Sequence, residues 1–396
     1  MDASYFQQLN RTLRAYKRAI PSLLIDLDRL DQNLATLQHS LATGMHFRIV
    51  VKSLPSIPLL DYIRQKTNTH RLMVFHQPFL SALAQHYGNQ VAILLGKPMP
   101  IQTAHYFYKT LTSDVFQPAK QLQWLIDSEA RLHQYLELAQ TLEQKLLINL
   151  EIDIGLHRGG IPDLPTLGKV LQLIAHHPKY LEFTGLMGYD PHVAALPKAL
   201  RSPQKSFRLA NDFYKRCVNL IKQDFPDLWY ENLTLNGAGS PTLAFHQDGT
   251  SALNEVAVGS GLVKPTHFDI PSLQPYVPAC FIATPILKKM KGTTLPLLEK
   301  LKGPMGFFKP AFKQSYFIYG GYWKADFCYP PKTTMNTIFG PSTNQSMVNT
   351  AAKIDLEIDD FMFLRPTQSE FVFLQFGDIL AVRDKEIVEE WEVLRN

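Results

Sequence analysis

A chain of 396 residues is long enough for two domains, and its content of 45% hydrophobic and 19% charged residues excludes a disordered or fibrous protein. The net charge of +5 comes from scattered residues, apart from one cluster of lysines at Lys288, Lys289, Lys291, Lys300 and Lys302. We expect this cluster to lie in a solvated loop. No stripe of basic and aromatic residues accompanies it, so nucleic-acid binding is not expected.

The cysteines and the N-terminus bear on the compartment of the protein. Cys217, Cys280 and Cys328 lack the spacing of metal ligands or of a redox motif, so we expect buried thiols in a reducing compartment. Residues 1–20 are polar, follow a helical pattern and contain no apolar signal-peptide core, which indicates a helical extension. No apolar run reaches the ~18 residues of a membrane span. The sequence therefore predicts a soluble cytoplasmic protein without membrane association.

From residue 21 to residue 270, short apolar runs alternate with stretches of helical periodicity. This alternation is typical of a parallel β/α sheet. The candidate strands are residues 47–51, 71–75, 91–95, 123–127, 146–153, 182–188, 233–237 and 254–259, and helical stretches lie at 57–65, 128–144, 164–177 and 203–223. Eight strands predict an α/β fold of the (β/α)8 TIM type, although an open doubly wound sheet would give similar local patterns.

After residue 270 the pattern changes, because prolines interrupt the alternation. Four runs read as antiparallel strands joined by turns, at residues 277–287, 314–323, 360–366 and 377–383. The sequence thus predicts a β-rich C-terminal domain over residues 271–396, following a barrel over residues 21–270.

The first predicted strand ends at a lysine, Lys52. Active sites of (β/α)8 barrels lie at the C-terminal ends of the strands, so this amine should emerge at the mouth of the barrel. Desolvation there lowers the pKa of an amine and permits Schiff-base chemistry. Taken alone, a lysine at a strand end is also typical of an ordinary surface or salt-bridged residue.

Strands seven and eight end in glycine-rich turns, NGAGSPT (236–242) and GSG (259–261). Barrels commonly bind phosphate with the loops after these two strands, where backbone N–H groups face the anion. The hydroxyls of Ser240, Thr242 and Ser260 could add donors. Each glycine turn alone is more typical of a tight strand-to-helix turn, so the prediction of a phosphate site depends on finding both.

Five motifs at the strand ends resemble a known family. They are VVKS (50–53), DIGLHRGG (153–160), GYDPH (188–192), NGAGSPT (236–242) and EVAVGSG (255–261). Together with PSLLIDLDRLDQN (21–33), they are similar to the motif series of the alanine-racemase N-terminal-domain superfamily. Within it, the chain most resembles the branch of D-threonine aldolase, D-serine dehydratase and the amino-acid deaminase/aldolase proteins. The resemblance covers residues 20–270 and is looser in the tail.

The resemblance implies that the fold is a barrel that binds pyridoxal 5′-phosphate (PLP), with Lys52 carrying the cofactor as a Schiff base. It further implies that Arg158 approaches the phenolic oxygen of the cofactor ring and that Tyr189 contacts the ring. The phosphate would be held by Gly239, Ser240, Gly259 and Ser260.

The residues themselves leave alternatives open for these roles. Arg158 could form an ion pair with a carboxylate such as Asp153, and Tyr189 could be an ordinary half-buried aromatic. His157 and His192 are secondary candidates for proton transfer, and each could equally be a hydrogen-bonded structural histidine.

The activity that the resemblance implies is that of a PLP-dependent lyase. It would be an aldolase or a dehydratase (deaminase) acting on a small β-hydroxy amino acid, with a preference for the D enantiomer. The alternatives are an amino-acid racemase, a non-catalytic PLP-binding protein of cofactor homeostasis, and a PLP-free phosphate-binding barrel enzyme. A head-to-tail homodimer is also implied by the resemblance.

The C-terminal tail lacks the metal-binding pair that is typical of this branch. Members of this branch typically bind a divalent ion through a His-x-Cys pair near the C-terminus, and in FLRPTQSEF (363–371) that pair is replaced by Gln368 and Glu370. Amide and carboxylate oxygens are hard ligands and suit zinc poorly. We therefore expect no metal site with tightly bound zinc, and an activity that survives EDTA. Glu370 could then exchange a proton with the substrate hydroxyl without metal.

Overall fold

The computed structural model describes residues 3–195, 202–291, 314–351 and 354–395. They form two compact units. One unit includes Leu34–Gly261 and Ile270–Pro275, and the other includes the chain up to Asn33, Leu262–Asp269 and Tyr276–Val393. The predicted boundaries at residues 21 and 270 therefore differ from the arrangement in the structure, where the N-terminal residues up to Asn33 group with the C-terminal part of the chain.

The chain begins with helix α1 (Ala3–Tyr16), strand β1 (Ser22–Asp26) and helix α2 (Leu27–Ser40). The elements that follow are β2 (His46–Val50), α3 (Ile57–Thr67), β3 (Arg71–Val74), α4 (Gln77–Tyr87), β4 (Ala92–Leu95), α5 (Ile101–Thr110), α6 (Pro118–Gln121), β5 (Leu122–Ile126), α7 (Glu129–Thr141), β6 (Leu146–Glu151), α8 (Leu164–His176), β7 (Leu181–Gly188), α9 (His192–Ala195), α10 (Pro203–Asp224), β8 (Thr234–Gly237) and β9 (Glu255–Val258).

Strands β2 to β9 form a closed parallel barrel, in which β9 pairs with β2. The predicted (β/α)8 barrel is thus confirmed, each of the eight predicted strands overlaps one of these strands, and the open sheet is excluded. The runs could be recognised because strands of a parallel sheet are buried on both faces and are continuously apolar. The four predicted helical stretches correspond to α3, α7, α8 and α10, and Ser128 caps α7 by accepting the Arg131 N–H.

The base of the barrel, near the N-terminal ends of its strands, contains a buried ionic network. Arg48 and Glu255 are both 0% exposed, and their side chains form two hydrogen bonds of 2.5 and 2.9 Å. Glu255 also accepts from Arg71 and Asn236, each at 2.8 Å. Burial alone would raise the pKa of Glu255, but the two guanidinium groups and the amide outweigh it and hold the pKa below its usual range.

The second unit is a sheet of nine strands within the described part of the chain. Besides β1, its strands are β10 (Cys280–Lys291), β11 (Gln314–Tyr319), β12 (Ala325–Tyr329), β13 (Thr333–Met335), β14 (Gln345–Thr350), β15 (Phe361–Pro366), β16 (Ile379–Arg383) and β17 (Glu386–Trp391). The predicted β-rich domain is confirmed, since β10, β11, β15 and β16 fall in the four predicted runs. The sequence did not indicate β12, β13, β14 or β17.

Residues 22–26 were assigned to the barrel domain without a predicted strand, but they form strand β1 of this sheet. It pairs antiparallel with β10 and parallel with β16. All five of its residues are buried, so the run reads like a barrel strand, and its partner β16 lies far away at the other end of the chain. Local pattern cannot distinguish the two sheets in such a case.

Helix α1 packs into the core of the sheet unit, although the sequence predicted a separate extension over residues 1–20. Its inward residues are Tyr5, Phe6, Leu9 and Leu13, which share a hydrophobic cluster with Phe281, Tyr329 and Phe363. The ring centroids of Phe6 and Phe281 are 5.4 Å apart in an edge-to-face arrangement. The chain therefore contributes both of its ends to one core.

The lysine cluster and the cysteines also have defined positions. Lys288 and Lys289 lie on strand β10 and not in the expected loop, and Lys289 Nζ lies 2.7 Å from Asp355 and 2.8 Å from Glu357. Lys300 and Lys302 lie outside the described residues.

The three cysteines are free thiols. Within the ranges that the structure describes, no helix combines the length and the apolar character needed to cross a membrane.

Candidate active site at the barrel mouth

Lys52 stands at the mouth of the barrel, which we define as the C-terminal ends of strands β2 to β9 and the turns that follow them. A 3₁₀ turn after β2, Val51–Ser53, carries the lysine, whose side chain is exposed while its two neighbours are buried. Its Nζ lies 4.5 Å from the centroid of the Phe75 ring, at the end of β3. A Cβ at Gly96 would lie 2.2 Å from that ring, so the glycine after β4 makes room for it. Lys52 therefore presents its amine over an aromatic face.

The turn after β9 packs directly against the turn that carries Lys52. A Cβ at Gly259 would lie 2.8 Å from Val50 Cβ and 2.9 Å from Ser53 Cβ, closer than real Cβ atoms come. Gly259 thus allows the two backbones to approach. This contact brings Ser260, which is 5% exposed, next to the lysine turn.

The turns after β8 and β9 are joined by a hydrogen bond. The Gly261 N–H donates to Ser240 Oγ at 2.9 Å. Because the oxygen accepts this bond, the hydroxyl hydrogen of Ser240 is still available to donate to a ligand. The two glycine turns that the sequence predicted as separate parts of a phosphate site are therefore one connected structure.

Arg158 and Tyr189 continue this structure around the mouth. Arg158 Cζ lies 5.2 Å from the centroid of the Tyr189 ring, and Arg158 is exposed while Tyr189 is half-buried. The Tyr189 ring packs on Gly239, where a Cβ would lie 2.9 Å from ring Cε2. The seven residues predicted for the site, namely Lys52, Arg158, Tyr189, Gly239, Ser240, Gly259 and Ser260, are thus connected by contacts or by adjacency in the chain.

Asp153 was considered as an ion-pair partner of Arg158, but the structure pairs it with His157. Asp153 Oδ1 accepts the N–H groups of Gly155 and His157 at 3.0 and 2.9 Å, and Oδ2 lies 2.8 Å from His157 Nδ1. Partial burial raises the pKa of Asp153, but these hydrogen bonds outweigh it and hold the pKa below its usual range. His157 therefore helps to shape the loop that carries Arg158.

His192, the other secondary candidate for proton transfer, follows β7 and lies beside the same loop. A Cβ at Gly155 would lie 3.3 Å from His192 Nε2. His192 is thus placed at the mouth, next to the loop of Arg158.

Two carboxyl groups at the mouth were not predicted as site residues. Asp127 and Glu151 follow Ile126 and Leu150, which pair across β5 and β6, so the two side chains leave neighbouring strands at one level. Burial raises the pKa of Glu151 to about 7, with the negative charge of Asp127 adding to the effect and Arg158 opposing it. Glu151 is therefore a proton-exchanging group near neutral pH. The sequence signal that could have identified Glu151 is its spacing of two residues from Asn149, because alternate residues of a strand share a face and Asn149 bonds to Gln123 and Thr234 of other barrel strands.

Thr242 was considered as an additional hydroxyl donor to phosphate, but its hydroxyl hydrogen points to another group. Its Oγ1 donates to Asp190 Oδ1 at 2.6 Å, so the hydroxyl hydrogen is already used inside the protein. Asp190 and Thr242 are each 1% exposed. A carboxylate cannot donate in return, which fixes the direction of this bond.

The residues predicted to replace the metal ligands lie in the sheet unit. Gln368 precedes a 3₁₀ turn, Ser369–Phe371, in which Glu370 is exposed. Among the residues that the structure describes, no three His, Cys, Asp or Glu side chains are grouped to hold a metal ion.

Comparison with known proteins gives a family and a fold. The family model described as "Alanine racemase, N-terminal domain" matches residues 25–266. D-threo-3-hydroxyaspartate dehydratase from Delftia sp. HT23 is 16% identical, with a TM-score of 0.71 over 95% of this chain and 97% of that chain. D-threonine aldolase from Filomicrobium marinum is 15% identical, with a TM-score of 0.71 over 95% and 96%. Alanine racemase from Bacillus anthracis is 13% identical, with a TM-score of 0.69 over 94% and 98%. No curated protein sequence matches significantly.

Proposed function

From the premise that this chain belongs to the alanine racemase N-terminal domain family, we propose that it is a PLP-dependent lyase. Its substrate is a small β-hydroxy amino acid, preferably the D enantiomer, and the reaction is aldol cleavage or dehydration. The observation that supports the proposal is the contact between the Lys52 turn and Gly259, because it packs the turn that carries the amine against the turn whose hydroxyl and N–H groups would receive a phosphate. Similarity of fold to a dehydratase and an aldolase supports the choice of a lyase.

The donors at the mouth fit PLP. Lys52 Nζ would bond to the cofactor aldehyde, and the hydroxyls of Ser240 and Ser260 with their backbone N–H groups would receive the phosphate. The Arg158 guanidinium would donate to the phenolic oxygen, and the Tyr189 ring would lie against the pyridine ring. When bound, PLP supplies an electron sink for the carbanion that forms at Cα of the substrate.

The chain's own residues would bind, orient and move protons. With the cofactor and a substrate bound, the free amine of Lys52 would act as a base beside Cα and the β-hydroxyl of the substrate. In a dehydration it would take the Cα proton and give a proton to the β-hydroxyl, which leaves as water; in an aldol cleavage it would take the hydroxyl proton as the Cα–Cβ bond breaks and the aldehyde forms. Glu151, with a pKa of about 7, would hold a proton at the mouth near Arg158. An amino-acid racemase is the alternative, and it would require a second acid–base group on the opposite face of the substrate.

The test begins with the attachment site. The protein is incubated with PLP, reduced with borohydride and digested, and the labelled peptide is identified by mass spectrometry. We expect the label on Lys52 and its loss in Lys52→Ala, whereas Lys97→Ala, a change at the end of another barrel strand, should keep it. A label on Lys97, or on no lysine, would contradict the proposal.

The reaction is then identified by its products. D- and L-β-hydroxy amino acids are screened for a keto acid, for an aldehyde with glycine, and for the opposite enantiomer. A keto acid indicates a dehydratase and an aldehyde indicates an aldolase. Formation of the enantiomer alone would replace the lyase with a racemase, and a labelled Lys52 without any turnover would favour a cofactor-homeostasis protein.

A homodimer is part of the same proposal, and it rests on the family resemblance. Light scattering of the purified protein after size-exclusion chromatography should give twice the mass of the chain. A monomer that turns over substrate would refute the dimer and leave the activity intact.

A further inference from the structure

Behind the turn after β8 lies a buried chain of hydrogen bonds that starts from Asp190, directly after Tyr189. Asp190 Oδ1 accepts from Thr242 Oγ1 at 2.6 Å, and Thr242 Oγ1 in turn accepts the Gly239 N–H at 3.1 Å. Asp190 Oδ2 lies 2.9 Å from His246 Nε2. Asp190, Thr242 and His246 are at most 6% exposed. Both oxygens of one carboxylate are thus used to hold the residues after β8.

The far end of this chain is fixed to the segment that leads into β9. His246 Nδ1 lies 2.8 Å from Ser251 Oγ, and Ser251 Oγ accepts the Leu253 N–H at 3.1 Å. The series therefore runs from the start of β9, through the imidazole and the carboxylate, to the backbone of Gly239. Every link is within ordinary hydrogen-bond length.

The backbone that this chain holds is strained. Ala238 has φ = 59°, a left-handed conformation that is unfavourable for any residue with a Cβ and favours glycine. The next turn is tight, because the Thr242 and Leu243 N–H groups both donate to the Gly239 carbonyl at 3.0 Å. An unfavourable conformation persists only where surrounding contacts enforce it, and the Asp190–Thr242–Gly239 bonds supply that enforcement.

A serine, a histidine and an aspartate in one series resemble a hydrolytic triad, but the arrangement does not support hydrolysis. His246 and Asp190 are only 6% and 1% exposed, so no substrate can reach them. The imidazole also uses Nδ1 toward the serine and Nε2 toward the carboxylate, the reverse of a serine hydrolase. The end of the series that faces the mouth is Gly239, beside Ser240.

We propose that Asp190 and Thr242 are positioning residues that hold residues 237–240 in the shape that receives the phosphate group of the cofactor. Neither side chain touches the ligand. Their effect is selectivity for a phosphorylated pyridoxal over pyridoxal itself, because a loosened turn loses only the contacts made to the phosphate. The inference rests on the proposed function, in which Lys52 holds the cofactor.

The test compares Thr242→Val with Thr242→Ser in the full chain, freed of cofactor. Valine keeps the shape of threonine and removes the hydroxyl, whereas serine retains it. The dissociation constants of PLP and of pyridoxal are measured from the visible absorbance that appears when either binds Lys52. We expect Thr242→Val to weaken PLP about tenfold and pyridoxal less than about twofold, since valine leaves the Gly239 N–H without its acceptor and Asp190 Oδ1 without its donor, which loosens the turn. Thr242→Ser should keep the wild-type ratio.

Each other outcome decides against the inference. An equal loss of affinity for both ligands would make Thr242 a general structural residue, and an unchanged affinity for PLP would show that the turn does not depend on it. If Thr242→Val does not fold, Asp190→Asn is measured in its place, because asparagine keeps the volume of the side chain. It should likewise weaken PLP binding and leave pyridoxal binding nearly unchanged. A wild-type chain that binds neither ligand at Lys52 would refute the proposed function, and with it the premise of the inference.

Discussion

The base and the mouth of the barrel both contain charged side chains, and they hold them in opposite ways. At the base, Arg48 and Glu255 are fully buried and joined by two hydrogen bonds. At the mouth, Lys52 and Arg158 are exposed, and each lies over an aromatic ring. Among the described residues, no carboxylate forms a salt bridge with either of these two cations. The charges at the base satisfy one another, and those at the mouth can bind a ligand.

The difference has an energetic meaning. Removing one member of a buried ion pair leaves the other charge desolvated and without compensation, which typically costs about 3–5 kcal/mol. Removing an exposed cation that interacts with a ring costs little stability, because water solvates what remains. Substitutions at the base should therefore change folding, and substitutions at the mouth should change binding.

The largest expected effect is that of Glu255→Gln at the base. The amide leaves Arg48 and Arg71 buried or partly buried without their counter-charge, so the free energy of unfolding should fall by about 3–5 kcal/mol. Urea unfolding followed by circular dichroism measures this change. A decrease in the free energy of unfolding of less than about 1 kcal/mol would contradict the difference between the base and the mouth of the barrel.

A smaller effect, on binding and not on folding, is expected for Arg158→Leu at the mouth. Loss of a charge-assisted hydrogen bond of about 1.5–3 kcal/mol should weaken PLP binding roughly 10- to 100-fold and lower turnover by orders of magnitude. The unfolding free energy should change by less than about 0.5 kcal/mol, as at other exposed positions. Arg158→Lys, which keeps the charge, is the matched control. Near-normal turnover of the leucine variant would show that Arg158 has no role at the site.

An effect confined to a pH window is expected at Glu151, whose folded-state pKa of about 7 lies above the usual 4.5. Between these values the folded chain keeps the carboxyl neutral while the unfolded chain ionises it, so its ionisation favours unfolding. The contribution of Glu151 to the free energy of unfolding is therefore fully present below pH 4.5 and is lost as the pH rises through 7. Above that pH the contribution no longer changes. Relative to wild type, Glu151→Gln should gain about 3 kcal/mol between pH 4.5 and pH 8, because a pKa shift from 4.5 to about 7 is worth roughly 1.36 kcal/mol per unit. Parallel stability curves for the two proteins would refute the raised pKa.

The sequence by itself determined the barrel and the position of its mouth. Each barrel strand is a short apolar run, because a strand in a parallel sheet is buried on both faces, and this signal is local. Once the strand ends are known, Lys52, Tyr189 and Gly259 follow as residues of the mouth, because all eight strands point the same way. The resemblance of the strand-end motifs then indicated the family.

Only the tertiary structure decided which polar groups pair. Asp153 has both His157 and Arg158 close in sequence, and it bonds to His157. The Thr242 hydroxyl could have faced a ligand, but it donates to Asp190, 52 residues away. Strand β1 reads like a barrel strand and pairs instead with β16 of the other sheet. The apolar character of a strand is a local property that its own residues reveal. A hydrogen bond instead depends on which groups the folded chain brings within about 3 Å of each other. The local sequence pattern carries no information on that distance.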